Sequence, residues 1–363
     1  MASLIWHPIR RLLFGPPSAP SISFDPARDI PSLAGKVILI TGGAGDLGKA
    51  LAIEHARHGP AQIYIADLAQ EDNGEAVIRS IRESASLPPA GDGGVLIKFI
   101  DVDLASFESV RKAAGRLRAE IGRLDILVNN AGVVLMRNEV SVDGYELTWA
   151  INFMGHALLT KLLLPTLLST ASQLESSDVR IIVVSSEGHA MVPRGGIAFD
   201  QLKTPCKDIS YVHRYGQTKL ALILYAKSLS LLHPEITTVS VHPGRILTGL
   251  FRRLQKDSKL FKYTALITPL FTTSVENGVR NHLWASTAPI HQAKTVEARD
   301  GAAATGNSDN KSPNLGVVVS GTYYEPVGVT GKESALAQDE ALRVRLWEWV
   351  EGELDGQVTG TTA

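Results

Sequence analysis

Cysteine is almost absent from this 363-residue chain, in which Cys206 stands alone. One cysteine cannot form an internal disulfide or build a zinc site by itself, so no metal centre is expected and the fold does not depend on an oxidising compartment. A charge imbalance is lacking too. Lys and Arg number 36 against 37 Asp and Glu, a formal net charge of -1, which gives no general electrostatic reason to bind nucleic acid or an anionic membrane. No apolar run reaches the roughly 20 residues of a membrane span; the richest, Ala157 to Leu168, is interrupted by Lys161 and Pro165. The N-terminus, Met1 to Phe14, is apolar with two arginines. Its apolar blocks are too short for a signal-peptide core, and it reads as an arm packing on the domain surface, with weak peripheral membrane contact as the alternative. A cytoplasmic location is expected. There is no internal repeat.

What is present is ordinary globular composition, 44% hydrophobic and 20% charged. Length alone allows two or three domains, but the pattern argues for one. After a proline-rich lead-in, short apolar runs alternate with helical stretches. Val37–Thr41, Gln62–Ala66, Val95–Ile100, Leu124–Asn129, Val179–Ser185, Thr237–Val241 and Val317–Tyr324 read as strands. Helices are expected over Leu47–His58, Asn73–Glu83, Ser106–Ile121, about Gly144–Ser172, Arg214–Leu232 and Glu333–Leu354. This alternation predicts an α/β fold: a single Rossmann-type, doubly wound parallel sheet of about seven strands with helices on both faces. The expected division is an N-terminal arm over 1–34, one domain over 35–355 and a tail over 356–363. Residues 288–315 lack periodicity and are expected to form a disordered insert.

Between the first strand and helix lies Thr41-Gly42-Gly43-Ala44-Gly45-Asp46-Leu47-Gly48. Glycines there let a pyrophosphate approach the helix N-terminus, where free N–H groups and the helix dipole favour anions. A tight strand–helix turn is the bland alternative, and the βαβ context favours a dinucleotide. The second strand leads to Asp67, whose carboxylate can accept from ribose hydroxyls and repels a 2′-phosphate. Leu68 follows where an arginine would otherwise receive that phosphate, so NAD is favoured over NADP.

Tyr215 and Lys219 stand one helical turn apart on the same face. A cation beside a phenol favours the phenolate, so the pair could exchange a proton with a carbonyl or alcohol oxygen near neutral pH. Ser185 and Ser186 close the fifth strand, at the edge where doubly wound sheets bind ligands; Ser186 is the first candidate to orient a substrate oxygen and Ser185 its backup. Asn152 lies mid-helix, a position unfavourable for Asn unless it has a task such as holding a water.

Together these residues resemble the short-chain dehydrogenase/reductase family over about Leu33 to Val329. Thr41 to Gly48 is similar to the family's Thr-Gly-x-x-x-Gly-x-Gly turn. Asn129-Asn130-Ala131-Gly132 matches its Asn-Asn-Ala-Gly motif, and Pro243-Gly244 its Pro-Gly motif. The resemblance implies a catalytic tetrad of Asn152, Ser186, Tyr215 and Lys219. It implies cofactor contacts from Gly42, Leu47, Gly48, Asp67, Asp103, Asn130, Tyr215, Lys219, Ile246 and Thr248. Asn152 to His156, Val184 to His189 and Gly321 to Gly328 are similar to retinol-dehydrogenase-like and filamentous-fungal members, many of which serve secondary metabolism. The implied activity is hydride transfer between NAD(P) and a secondary alcohol or ketone of a lipophilic small molecule, by a homodimer or homotetramer. Met191, Phe199, Tyr211 and a segment holding Leu250, Phe251, Leu254, Leu260, Phe261 and Tyr263 are candidate substrate contacts.

One residue departs from the pattern: Asp46 replaces the middle glycine of the turn. Pointing inward it would repel a pyrophosphate; alternatively it could cap the helix. The rival reading is therefore a non-catalytic nicotinamide-dinucleotide-binding sensor or structural protein of the same fold. An extended sugar-nucleotide epimerase would need a larger C-terminal domain than follows Thr248.

Overall fold

The computed structural model describes residues 22–69, 73–88, 94–173, 178–244, 274–290 and 315–357. A seven-stranded sheet runs through them in the order β3-β2-β1-β4-β5-β6-β7, every neighbouring pair parallel. The strands are β1 (Val37–Thr41), β2 (Gln62–Asp67), β3 (Leu96–Asp101), β4 (Ile126–Asn129), β5 (Arg180–Val184), β6 (Thr237–Val241) and β7 (Tyr323–Tyr324). The main helices are α1 (Asp46–Arg57), α2 (Asn73–Ser84), α3 (Phe107–Glu120), α4 (Gly155–Ser172), α5 (Tyr211–Leu232), α6 (Val275–Thr287) and α7 (Glu340–Leu354).

Successive β-strand residues face opposite sides of a sheet, and β1 supplies both cores. Val37 and Leu39 pack with residues of α3, α4, α5 and α7, whereas Ile38 and Ile40 pack with residues of α1, α2 and α6. Covering both faces explains why the strands are continuous apolar runs rather than alternating ones. The order reverses between β1 and β4, which places a crevice at their carboxyl ends, beside Thr41 and Asn129.

Several elements differ from the sequence reading, which placed no helix over Val275–Thr287 and began α5 at Arg214 rather than Tyr211. The long helical region begins as a turn at Leu147–Trp149, widens into a π-helical turn at Ala150–Met154, and becomes α4 at Gly155. The continuous helix Leu147–Ser172 is thus long and apolar enough to cross a membrane, with a mean hydropathy of 1.3, but 67% of its most apolar window is buried inside the protein. The last strand shortens to Tyr323–Tyr324, because only that pair lies in register with β6. The final helix starts at Glu340 rather than Glu333, where the Asp339 carboxylate accepts from the Leu342 N–H.

Candidate active site

The crevice begins with the glycine turn. Gly42 adopts φ +64°, and a Cβ there would lie 2.8 Å from Ala131 Cα. Gly48 is more tightly restricted: a Cβ would meet the Gly42 carbonyl oxygen at 2.3 Å and Gly43 Cα at 2.7 Å. Gly45 is the N-cap of α1 and has no side chain to cover the first helical amides. Asp46 is therefore the first residue of the helix rather than its cap, and its exposed side chain lies in the first turn, where the helix dipole favours an acid. Leu47 follows and packs against the core beneath. A pyrophosphate fits this cradle, because backbone can approach backbone here and amides remain at the helix start.

Acidic and amide side chains brace the turn. Asp67 Oδ2 accepts from the Ala44 N–H at 2.9 Å, and its Oδ1 accepts from Leu68 N–H at 2.9 Å. Asn130 Nδ2 donates to the Thr41 carbonyl at 2.8 Å, which clasps β4 to β1 where the turn leaves the sheet. Asp103 Oδ1 accepts from Ala105 N–H at 2.8 Å and so shapes the loop after β3.

The residues expected to handle the proton, Ser186, Tyr215 and Lys219, come together where α5 meets the end of β5. The Tyr215 ring stands beside Ser186: a Cβ added at Gly188 would meet the ring at 3.0 Å and Ser186 Oγ at 3.5 Å. Ser186 caps a short 3-10 turn, Glu187–Ala190, by accepting from Gly188 N–H at 3.1 Å. Gly216 lets α5 approach this turn, since a Cβ there would sit 1.7 Å from the Met191 carbonyl oxygen. Lys219 is 3% exposed and donates to the Val184 carbonyl at 2.8 Å, with Nζ 5.5 Å from the Tyr215 ring centroid. Among the described residues no carboxylate pairs with this ammonium. Burial lowers the Lys219 pKa to about 7. Burial also pushes Tyr215 up to about 12, opposed by the neighbouring Ser186 hydroxyl and reinforced by Glu187. The expectation of a phenol lowered by its lysine is thus not met in the chain alone. Desolvation acts on both charged forms, favouring the neutral phenol and the neutral amine.

Asn152 sits in the π-helical turn. Its Oδ1 accepts from Val133 N–H at 2.8 Å, while its Nδ2 donates to the Val133 carbonyl at 2.9 Å and to Thr218 Oγ1 at 3.2 Å. Thr218 Oγ1 in turn donates to the Tyr215 carbonyl at 2.7 Å. The amide hydrogens are therefore committed to holding the loop after Gly132 against the helix bearing Tyr215. Ser185, the backup candidate, is committed elsewhere: its hydroxyl donates to the Lys219 carbonyl at 2.7 Å from a buried position.

Several contacts were not legible as motifs. Arg214 and Glu146 form a fully buried ion pair at 2.9 Å. The same guanidinium donates to the carbonyls of Leu135, Met136 and Arg137, holding the loop beyond Gly132 against the start of α5. The one weak signal in the sequence is a charge directly before Tyr215 in a mostly apolar helix. His189 is structural: Nδ1 bonds the Ser186 carbonyl at 2.7 Å, and Nε2 accepts from Ser334 N–H at 3.0 Å.

Met191 follows the Ser186 turn and is 47% exposed, at the rim of the site. Phe199 instead packs 6.0 Å from Trp349, with the Arg345 guanidinium 4.3 Å above its ring. Tyr211 opens α5. Ile246, Thr248 and the segment from Leu250 to Tyr263 lie outside the described residues, as do residues 1–21 of the expected arm and 291–314 of the expected insert.

Comparison with known proteins agrees with this fold. The family model for short chain dehydrogenase matches residues 36–199. The chain is 33% identical over 347 residues to short-chain dehydrogenase/reductase drtF of Aspergillus calidoustus, covering 93% of this chain and 98% of that protein. It is 32% identical over 322 residues to retinol dehydrogenase 13 of Homo sapiens, covering 87% and 83% respectively. The fold matches the crystal structure of 3-ketoacyl-(acyl-carrier-protein) reductase from Brucella melitensis complexed with NADH, with a TM-score of 0.52 at 22% identity, over 71% of this chain and 93% of that one. The chain belongs to the short-chain dehydrogenase/reductase family and is retinol-dehydrogenase-like. It is an oxidoreductase by family, and that family binds NAD(P).

Proposed function

We propose that the chain is an NAD-dependent enzyme acting on a secondary alcohol or ketone of a lipophilic small molecule, in fungal secondary metabolism. One observation carries the reading: a buried Lys219 with no carboxylate partner among the described residues, its Nζ 5.5 Å from the ring centroid of a half-buried Tyr215 that stands beside Ser186. Burying a cation without a counter-charge is costly unless the site has a use for it.

The bound nicotinamide supplies or accepts the hydride. In reduction the Tyr215 hydroxyl gives its proton to the substrate oxygen, and in oxidation the phenolate takes it back. Ser186 donates to the same oxygen and fixes its distance from Tyr215. Val184 takes one of the three Lys219 ammonium hydrogens, leaving two for a ribose hydroxyl and a water. Asn152 Oδ1 keeps a second lone pair on which that water can rest. Gly42, Leu47, Gly48, Asn130 and Asp103 would hold the dinucleotide, and Asp67 would favour NAD by accepting from the ribose.

Met191 at the rim supports a lipophilic substrate, as does the likeness to a retinol dehydrogenase. The likeness to the Aspergillus relative supports the fungal assignment. A cytoplasmic homodimer or homotetramer belongs to the same reading and is checked by light scattering. The deciding experiment is turnover of NADH and NADPH with a panel of apolar ketones, for wild type and Tyr215→Phe. Turnover lost by at least about a hundredfold in the variant supports the proposal. A variant at wild-type rate overturns the role of Tyr215. Binding of either dinucleotide without turnover of any ketone points to the non-catalytic alternative.

A further inference from the structure

His156 is buried and belongs to none of the groups assigned above, yet it touches two of them. Its Nδ1 lies 2.9 Å from the Asn152 carbonyl oxygen, and its Nε2 lies 2.8 Å from Thr41 Oγ1. That carbonyl belongs to the π-helical turn at Ala150–Met154. Thr41 is the last residue of β1, directly before the glycine turn. Its oxygen accepts from Asn130 N–H at 2.9 Å and from Ala131 N–H at 3.0 Å.

Counting protons fixes the state of this ring. A hydroxyl has two lone pairs and one hydrogen. The two amides take both lone pairs of Thr41 Oγ1, so the hydroxyl must donate. Its available acceptors are the Val128 carbonyl at 3.4 Å, a poor hydrogen-bond distance, and His156 Nε2 at 2.8 Å. Nε2 is therefore the unprotonated nitrogen. On the other side the Asn152 carbonyl can only accept, so Nδ1 must carry the hydrogen. The opposite tautomer would set a third donor against a filled oxygen and two lone pairs against each other. An imidazolium would keep the first of those conflicts, and burial together with the Lys219 charge opposes it, lowering the His156 pKa to about 4.

We propose that His156 is a positioning residue: a neutral imidazole, locked with its hydrogen on Nδ1, that ties Thr41 at the root of the glycine turn to the backbone of Asn152. The link is continuous. From Thr41 it reaches the Asn130–Ala131 backbone; from Asn152 it passes through Val133 and Thr218 to the Tyr215 carbonyl. His156 thereby sets the dinucleotide cradle in register with the helix that bears the phenol. Its consequence for cofactor binding rests on the dinucleotide reading of the site; the tautomer does not.

The test has two independent readouts. In protein labelled with 15N-histidine, the imidazole nitrogen shifts report the tautomer, and His156→Gln assigns the signal by its disappearance. NADH and NADPH titrations then compare His156→Phe, which removes both bonds, with His156→Gln, whose amide can donate to Asn152 and accept from Thr41. The expected results are a neutral Nδ1–H ring at pH 7, a dissociation constant raised about tenfold in the Phe variant, and one within about threefold of wild type in the Gln variant. An Nε2–H ring, a cationic ring, an unchanged Phe variant or equal loss in both variants overturns the proposal. Wild-type protein that binds neither dinucleotide overturns the functional reading instead, and the imidazole spectrum still decides the tautomer.

Discussion

Asp67 Oδ2 accepts a hydrogen bond from the Ala44 N–H at 2.9 Å. The carboxylate expected to choose between NAD and NADP therefore also holds the glycine turn to the end of β2. The two roles predict different variants. Asp67→Ala removes the brace and weakens NADH binding about tenfold without admitting NADPH. Asp67→Asn keeps an acceptor for Ala44 and loses less. Asp67→Asn with Leu68→Arg removes the repulsion and adds a phosphate partner, so NADPH binding rises. Fluorescence titrations of both dinucleotides check this; a wild type that already prefers NADPH contradicts the proposed preference.

The two adjacent serines are separated by what they touch. Ser185 donates to the Lys219 carbonyl, and Ser186 accepts from Gly188 N–H beside the Tyr215 ring. Ser185→Ala is expected to cost about 1 kcal/mol of stability and leave turnover nearly intact. Ser186→Ala is expected to lower turnover at least about tenfold with little change in melting temperature. Rates and thermal midpoints of both variants decide the assignment, and the reverse pattern would exchange the roles.

Arg214 and Glu146 make a stability prediction. Removing one partner strands a buried charge, which costs about 3–5 kcal/mol. Glu146→Gln keeps the volume and an acceptor, so its loss is smaller than that of Glu146→Ala. Because Arg214 also holds the carbonyls of Leu135 to Arg137, Arg214→Met is expected to loosen that loop. Urea unfolding and amide exchange at residues 133–139 measure the two effects, and an Arg214→Met protein as stable as wild type would show that the pair is dispensable.

Why some of this was legible and some was not follows from range. The glycine turn, the strands and the Tyr215–Lys219 spacing are local patterns: steric freedom, period two, and one helical turn. The reversal between β1 and β4 follows from the alternation of strands and helices. The Arg214–Glu146 pair and the Thr41–His156 bond join residues far apart in the chain, so no spacing announces them. Ser185 and Ser186 look equivalent as letters and differ only in which face of the strand end they occupy. The pKa of Tyr215 departs from the sequence expectation for a similar reason: the motif shows a neighbouring cation but not the burial that outweighs it.

Lys219 predicts a pH dependence of cofactor binding. Its pKa is lowered to about 7 by burial alone. Above that pH the free protein holds a neutral amine, and binding an anionic dinucleotide then requires proton uptake. The NADH dissociation constant is expected to rise as pH increases from 6 to 9, with an inflection near 7 that is absent in Lys219→Met. Calorimetric titrations in buffers of different ionisation enthalpy measure the uptake directly. A flat profile in wild type contradicts the assignment.

Three buried histidines set the acid limit of the fold. Burial lowers His55 to about 3, and His156 and His282 to about 4. His55 is held by Ser286 Oγ at 3.0 Å and lies near His58 and His282, whose charges oppose its own; His242 and Lys219 act likewise on His282. In the unfolded chain each ring titrates near the ordinary histidine value of about 6.5. Between that value and the folded ones the unfolded state binds more protons, so stability falls as pH drops from about 6.5 and levels only below the folded values. Near pH 5 unfolding is expected to take up about three protons, a loss of about 4 kcal/mol per pH unit. This window lies above that of the paired carboxylates, such as Glu120, whose pKa is lowered to about 2 by Lys98 and Arg116. Urea midpoints from pH 8 to 4 measure the slope. A His55→Gln variant should lose about one proton of uptake, because the amide can still bond Ser286 but cannot be protonated. Stability that stays level between pH 6.5 and 5 would mean that these rings are charged in the folded protein.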